Sequence, residues 1–133
     1  GPRWMAFNSL TKGKITEEPV PPQRIDVQTI ALDEFRNGLG RKIAVLKIDA
    51  ESAECEILSG ARQLLAADGP IITVEVGDND ATHESRRLVT QLTDAGYAPW
   101  EFHAGRFSRH QPREIYGYDN LIFAPTPVDL SSL

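Results

Sequence analysis

The sequence of 133 residues has a single cysteine, no long apolar run and no excess of positive charge. One cysteine excludes an internal disulfide and is typical of a reducing compartment, so we expect a cytoplasmic protein. The formal net charge of −5 argues against general binding to nucleic acid or to anionic membranes. No apolar run approaches the roughly 18 residues of a membrane span, and there is no signal-peptide pattern.

What is present is the composition of an ordinary globular protein, with 41% hydrophobic and 25% charged residues. This is enough apolar material for one packed core. The first two residues, glycine and proline, are typical of a protease-cleavage remnant or a trimmed chain, so we expect the natural start to lie upstream. We divide the chain into an irregular connector (1–24), one α/β domain (25–125) and a tail (126–133).

Hydrophobic periodicity predicts an alternation of strands and helices. A half-buried strand is predicted at 25–30, and Asp33 is expected to start a helical turn that Gly38 and Gly40 end. The following strands are predicted at 43–48, 71–76, 97–102 and 118–124, with helices at 53–65 and 88–95 and a loop at 103–113. The run at 43–48 is nearly all apolar, which is typical of a central strand covered on both faces.

This order of elements predicts the sheet topology. Strands that alternate with helices imply a mostly parallel sheet with right-handed crossovers. The last two strands have no helix between them, which implies an antiparallel final strand. The single cysteine, Cys55, lies in a predicted helix beside glutamates, and this favours a packing role over a nucleophilic one.

Three carboxylates cluster where the strand 43–48 ends and the next helix begins. Acidic groups near a helix N-terminus are stabilised by its dipole by about 0.3–1 kcal/mol each, which accounts structurally for Glu51 and Glu54. The helix dipole does not account for Asp49, because this residue ends the strand. Asp49 is predicted to face the ligand-binding edge of the sheet. For Glu51 a functional role stands beside the structural one, and Ser52 is a candidate cap.

Glu75 interrupts the otherwise apolar strand 71–76. A carboxylate in a buried strand is costly unless it is paired or hydrogen-bonded. Two explanations stay open: Glu75 anchors a neighbouring backbone group or donor, or it joins Asp49 at the mouth of the crevice.

Two loops carry weaker signals. Residues 78–80 and His83 offer metal ligands only in part, so a turn with Asp80 or Thr82 as the helix cap is favoured. The segment 103–113 carries Arg106, Arg109, His110 and Arg113, which suit an anionic substrate, although a solvated loop is the favoured interpretation.

Taken together, these segments resemble the FkbM family of S-adenosylmethionine-dependent methyltransferases. The main motif is Lys-Ile-Asp-Ala-Glu-Ser-Ala-Glu at 47–54, similar to the family's Lys-Ile-Asp-Val-Glu-Gly-Ala-Glu. Around it lie Leu-Asp within 30–35, Ile-Leu-Ser-Gly-Ala at 57–61, Gly-Tyr at 96–97 and a last strand at 119–123. The resemblance covers roughly residues 25–124, and its main motif is fairly specific because several acidic positions and the Gly-Ala agree in register.

The chain departs from the family pattern in two ways. Ser52 stands where the family usually has glycine, and Ala50 where it has valine. The family's glycine-rich cofactor loop is also absent. The resemblance therefore implies the C-terminal half of a class I (Rossmann-like) methyltransferase sheet, mostly parallel with an antiparallel final strand and without its first strand–helix units.

The resemblance implies methyl transfer from S-adenosylmethionine to a hydroxyl of a sugar or natural-product acceptor. Asp49 is then expected to act as the base or to orient the acceptor hydroxyl, with Glu51 and Glu75 in support and His83 as an alternative base. No resident metal is expected and no cofactor-binding residue is assigned. We expect the isolated chain to bind the cofactor weakly or not at all, and therefore to be inactive alone.

Two alternatives belong to other functional classes. The first is a non-catalytic remnant of the fold, an assembly module that forms a homo-oligomer through the unpaired edge of the strand 43–48. A third and weaker hypothesis is a metal-dependent hydrolase that uses Asp49, Glu75 and Asp78.

Overall fold

The computed structural model describes residues 26–50, 53–78 and 83–133. These ranges form an α/β structure of four helices and one five-stranded sheet. The helices are α1 (Leu32–Leu39), α2 (Glu54–Ser59), α3 (Arg62–Asp68) and α4 (Glu84–Asp94). The strands are β1 (Val45–Ile48), β2 (Ile71–Val76), β3 (Tyr97–His103), β4 (Arg106–Arg109) and β5 (Asp119–Pro125).

The sheet is mixed, with the strand order β1-β2-β5-β3-β4. Only β1 and β2 pair in parallel, and the other three ladders are antiparallel. The prediction of a mostly parallel sheet was therefore wrong, although the predicted antiparallel last strand is present. The reason is that β5 inserts between β2 and β3, so that both of its ladders are antiparallel, and β4 adds a third.

Strand β4 lies in the segment 103–113, which was predicted to be a loop. Ala104 and Gly105 have φ angles of 50° and 76°, and they join β3 to β4 through a two-residue hairpin. Positive φ at both central residues matches the right-handed twist of paired strands. Phe102 and Phe107 face each other across this hairpin, with ring centroids 4.8 Å apart.

The helix predicted at 53–65 is divided into α2 and α3 at Gly60 and Ala61. The strand predicted at 25–30 was wrong for its described part, because residues 26–30 are exposed and irregular. The helical turn expected at Asp33 is confirmed as α1, which ends at Gly40 in the left-handed conformation. The candidate caps Asp80 and Thr82 lie outside the described residues.

The main hydrophobic core fills the space between one face of the sheet and the helices α2, α3 and α4. Its fully buried members include Leu58, Leu64, Ile72, Leu92 and Phe123. Apolar side chains at spacings of three and four give each helix one face that packs on the sheet. Cys55 belongs to this core and is 7% exposed, in agreement with a packing role.

A smaller core covers part of the opposite face of the sheet. It consists of Ala98, Trp100, Ala124 and Leu130, with Ile71, Phe107 and Ile122 packed against it. Leu130 belongs to the C-terminal tail, so the tail packs on the β5–β3–β4 side of the sheet.

Strand β1 lies at the other end of the sheet order, next to β2 alone. Ile48 is 3% exposed, whereas Val45 is 64% exposed. In the part of the chain that the structure describes, β1 is thus an edge strand with one open face, and the expectation that both faces are covered was wrong there. No helix within the described ranges has the length and apolar character to span a membrane.

Candidate functional site

The parallel pair β1 and β2 brings three charged residues to one edge of the sheet. Lys47 is in register with Thr73, and Glu75 lies two positions further along β2, on the same face. Asp49 directly follows the last residue of β1. The carboxyl ends of strands in an α/β sheet border the crevice in which ligands bind. We call Lys47, Asp49 and Glu75, which lie at these strand ends, the open cluster.

The open cluster is accessible and only partly hydrogen-bonded. Lys47 Nζ donates to Asp49 Oδ2 at 2.8 Å, and the two side chains are 62% and 47% exposed. This hydrogen bond is the main cause that raises the pKa of Lys47, and the charge of Glu75 acts in the same direction. The other oxygen of Asp49, Oδ1, accepts no hydrogen bond from a described residue. An ionised carboxylate with one free oxygen can accept a hydrogen bond from a ligand hydroxyl.

Glu75 is partly buried and stands opposite Asn120 of β5. Among the described residues no backbone or side-chain donor contacts its carboxylate, whereas its charge acts on Lys47. Of the two explanations for this residue, the geometry favours a place beside Asp49 over the anchoring of a neighbour.

The main motif contains two further acidic candidates, Glu54 and Glu51, and only Glu54 lies within the described residues. Glu54 Oε1 accepts from the backbone N–H of Ala50 at 3.0 Å and closes the turn between β1 and α2. Glu54 therefore has a structural role. Glu51 and the neighbouring Ser52 lie outside the described residues, and the role of Glu51 stays a prediction.

Asp78 is fully used by the fold. Its Oδ1 accepts from the N–H of Ser85 at 3.1 Å, and its Oδ2 accepts from the N–H of Tyr116 at 3.0 Å. Burial acts to raise the pKa of Asp78, but these hydrogen bonds outweigh it and hold the pKa below its usual value. Asp78 thereby caps the first turn of α4.

The hydrolase hypothesis finds no support in this arrangement. Within the described ranges no three His, Cys, Asp or Glu side chains are placed to hold a metal ion. Asp78 thus does not form a metal centre with Asp49 and Glu75. His83, the alternative base, precedes α4 with φ 52°, and its Nδ1 lies 3.1 Å from the carbonyl oxygen of Glu114.

The basic residues at 106–113 do not form one anion site. Arg109 stacks on the ring of Trp100 at 4.5 Å, and Arg113 pairs with Glu101 at 2.6 Å. His110 is 4% exposed and points inward, with Nδ1 2.6 Å from Glu101 Oε1 and Nε2 3.0 Å from the Tyr116 hydroxyl.

We call Glu101, His110, Arg113 and Tyr116 the closed cluster. The network is consistent when His110 Nδ1–H donates to Glu101 and the Tyr116 hydroxyl donates to Nε2. The same hydroxyl accepts from the N–H of Arg113 at 3.2 Å. The pKa of Glu101 is lowered chiefly by the hydrogen bond from His110. No sequence signal linked Glu101 to His110, because they meet only across the unpredicted β3–β4 hairpin.

The Leu-Asp segment at 32–33 and the Gly-Ala segment at 60–61 contact each other in the structure. The carboxylate of Asp33 accepts from the N–H groups of Gln63 and Leu64 at 3.1 and 2.8 Å, and so caps α3. The N–H of Asp33 donates to the carbonyl of Gly60 at 2.9 Å. A Cβ at Gly60 would lie 3.4 Å from the Cβ of Ala31, which is an ordinary van der Waals contact. The Leu-Asp and Gly-Ala segments therefore act together to divide and cap the helix.

Comparison with known proteins agrees with these motifs. The family model described as the methyltransferase FkbM domain matches residues 5–99. This range contains the open cluster and the contact between α1 and α3, and it ends within β3. Comparisons with curated proteins and with solved structures gave no match. Since the matched range is more than half of the sequence, the chain belongs to the FkbM methyltransferase family.

Proposed function

We propose that this chain carries the acceptor side of an S-adenosylmethionine-dependent O-methyltransferase. The observation that carries the proposal is that one oxygen of Asp49, at the carboxyl end of β1, accepts no hydrogen bond from a described residue. This position lies inside the segment that matches the family. Glu75 and Lys47 stand beside it on the same edge of the sheet.

In this proposal the acceptor hydroxyl donates a hydrogen bond to Asp49 Oδ1. Asp49 orients the hydroxyl oxygen and accepts its proton. S-adenosylmethionine, if bound beside this hydroxyl, would supply the methyl group and leave as S-adenosylhomocysteine. Lys47 holds the other carboxylate oxygen and so fixes the side-chain direction. Glu75 and Glu51 are proposed to support Asp49 or to line the same crevice.

The described residues do not fit the cofactor itself. The glycines with left-handed backbone, at 40, 69, 96 and 105, lie at helix ends and in the β3–β4 hairpin. None of them lies in a glycine-rich turn from a strand into a helix, where nucleotide cofactors are held. We therefore assign no cofactor-binding residue, and we expect no micromolar S-adenosylmethionine binding when the 133 residues are titrated by calorimetry.

The test is a methyl-transfer assay on the full-length protein that contains these 133 residues. A panel of hydroxylated sugars and natural products serves as acceptors, and mass spectrometry detects the methylated product. Asp49→Asn is expected to lower kcat by about 10²–10⁴-fold, the usual contribution of an acid–base group. Asp94→Asn, an exposed change at the end of α4, is the matched control and should keep full activity. Full activity of Asp49→Asn would overturn the role of this residue.

A second candidate function is an assembly module that pairs through the edge of β1. The observation in its favour is that β1 has a single partner strand among the described residues and exposes Val45. Light scattering should then show a concentration-dependent dimer that Val45→Lys weakens, because a charge on an edge strand opposes pairing. Ile115→Lys, at a loop position of similar exposure (66%), is the control. A wild-type monomer at all concentrations would count against this function.

A further inference from the structure

A basic pocket lies at the end of β1 that is opposite to the open cluster. It has a volume of about 360 Å³ and is formed by the end of α1, the segment that leads into β1 and the end of α3. Its lining residues are Arg36, Asn37, Gly40, Arg41, Lys42 and Asp68. We call this set the basic pocket.

The basic pocket has an excess of positive charge in a chain whose net charge is −5. Three cationic side chains line it against one carboxylate, Asp68. That carboxylate is already occupied: Oδ1 accepts from Arg36 Nη2 at 2.7 Å and Oδ2 from the N–H of Ile43 at 2.9 Å. In the described part of the chain, Arg41 and Lys42 have no ion-pair partner.

Arg36 is held in place. Its ion pair with the buried Asp68 fixes the guanidinium, and its Nε, which is itself buried, has no acceptor among the described residues. A fixed guanidinium loses little side-chain freedom when it binds a ligand. A helix C-terminus attracts cations, which accounts for Arg36 in the last turn of α1. It does not account for two further unpaired cations beyond Gly40 that face the same pocket.

We propose that the basic pocket binds the phosphate group of a small molecule. Arginine and lysine together are suited to phosphate, because the guanidinium offers a fork of donors and the ammonium a mobile charge. The volume falls within the range of about 300–1,000 Å³ that is usual for small-molecule sites, so the phosphate is expected to belong to a larger molecule.

This site is separate from the proposed acceptor site. The four residues of β1 lie between them, a length of about 13 Å at about 3.3 Å per residue. The proposal therefore does not depend on methyl transfer, and it concerns residues that the acceptor role leaves unused.

Pyrophosphate is the probe, titrated by calorimetry into the 133-residue chain at constant ionic strength. The test variant is Arg41→Gln with Lys42→Gln, which leaves the Arg36–Asp68 ion pair intact. The control is Arg62→Gln with Arg106→Gln, two exposed positions that give the same change in net charge. Thermal melts confirm that each variant is folded.

The expected result is saturable binding that weakens at least about tenfold in the test variant and stays unchanged in the control. Amide signals of residues 36–42 should shift in NMR spectra during the titration. Absence of saturable binding to the wild type would overturn the proposal. Equal weakening in both double variants would also overturn it, since that result indicates a general charge effect.

Discussion

The open and closed clusters both combine carboxylates with cations, yet they differ in how far their hydrogen-bonding groups are used. In the closed cluster, Glu101 binds both His110 and Arg113, and the ring of His110 has a partner at each nitrogen. In the open cluster, one oxygen of Asp49 is free of the described residues, and Lys47 is exposed.

The difference in hydrogen bonding distinguishes a cluster that stabilises the fold from one that is available to a ligand. In the closed cluster, His110 and Tyr116 are buried and hydrogen-bonded to each other, and such a network stabilises one conformation. An exposed carboxylate with a free oxygen contributes little to stability and is available for chemistry. The sequence alone favoured a functional role for Asp49 and a solvated loop at 103–113. The structural role of His110 became visible only from its burial and its hydrogen-bond partners.

The largest change in the free energy of unfolding is expected from a substitution in the core beside the closed cluster. Trp100 is 2% exposed and carries Arg109 on its ring. Trp100→Ala should lower the free energy of unfolding by about 3–5 kcal/mol in a urea titration. Val45→Ala, beside the open cluster, should change it by less than about 0.5 kcal/mol. Similar losses for the two variants would break the comparison.

Removal of the Tyr116 hydroxyl is expected to lower the free energy of unfolding by a smaller amount. Tyr116→Phe leaves His110 Nε2 and the N–H of Arg113 without their partner, at 3.0 and 3.2 Å respectively. The expected loss is about 1–3 kcal/mol in the free energy of unfolding, since both groups are at least partly buried. Tyr118→Phe, at a tyrosine that is 80% exposed, is the comparison variant and is expected to lose less.

The closed cluster should make the stability of the protein depend on pH in the acidic range. The pKa of Glu101 is lowered below its usual 4.5, mainly by His110, so its contribution to stability is present above pH 4.5 and is lost as the pH falls through the lowered pKa. Chemical unfolding at a series of pH values should show this loss, and Glu101→Gln should flatten the profile between pH 4.5 and the lowered pKa. An unchanged acid profile in Glu101→Gln would contradict the role of the closed cluster.

The smallest expected effect is at Asp49. Asp49→Asn should leave the urea midpoint as in the wild type, because its only described partner is an exposed lysine. The same variant is expected to lose methyl transfer, so stability and activity separate at this residue. A marked loss of stability would assign Asp49 to the fold instead.

The sequence predicted those parts of the fold that depend on local patterns. The apolar runs of β1 and β2, the stripe of α4 and the glycine that ends α1 are all visible in the order of residues. The same patterns placed Asp49 and Glu75 on neighbouring strand ends, where the structure has them.

The parts that failed depend on contacts distant in sequence. The cap that divides α2 from α3 comes from Asp33, about 30 positions earlier. Strand β4 carries a single apolar residue, Phe107, and is stabilised by pairing with β3. A pattern of one apolar residue has no detectable period, so the hairpin could not be predicted from it.

The attachment of α1 has a consequence for local unfolding. This helix contains no buried residue. Its Leu32 packs against the main core, and Asp33 and Arg36 bind the two ends of α3. A segment with few buried contacts opens at a lower free energy than the core. Opening of α1 would remove the cap of α3 and separate Arg36 from Asp68. The amide hydrogens of α1 are therefore expected to exchange with solvent ahead of those of the sheet, and a phosphate bound beside Arg36 would slow that exchange.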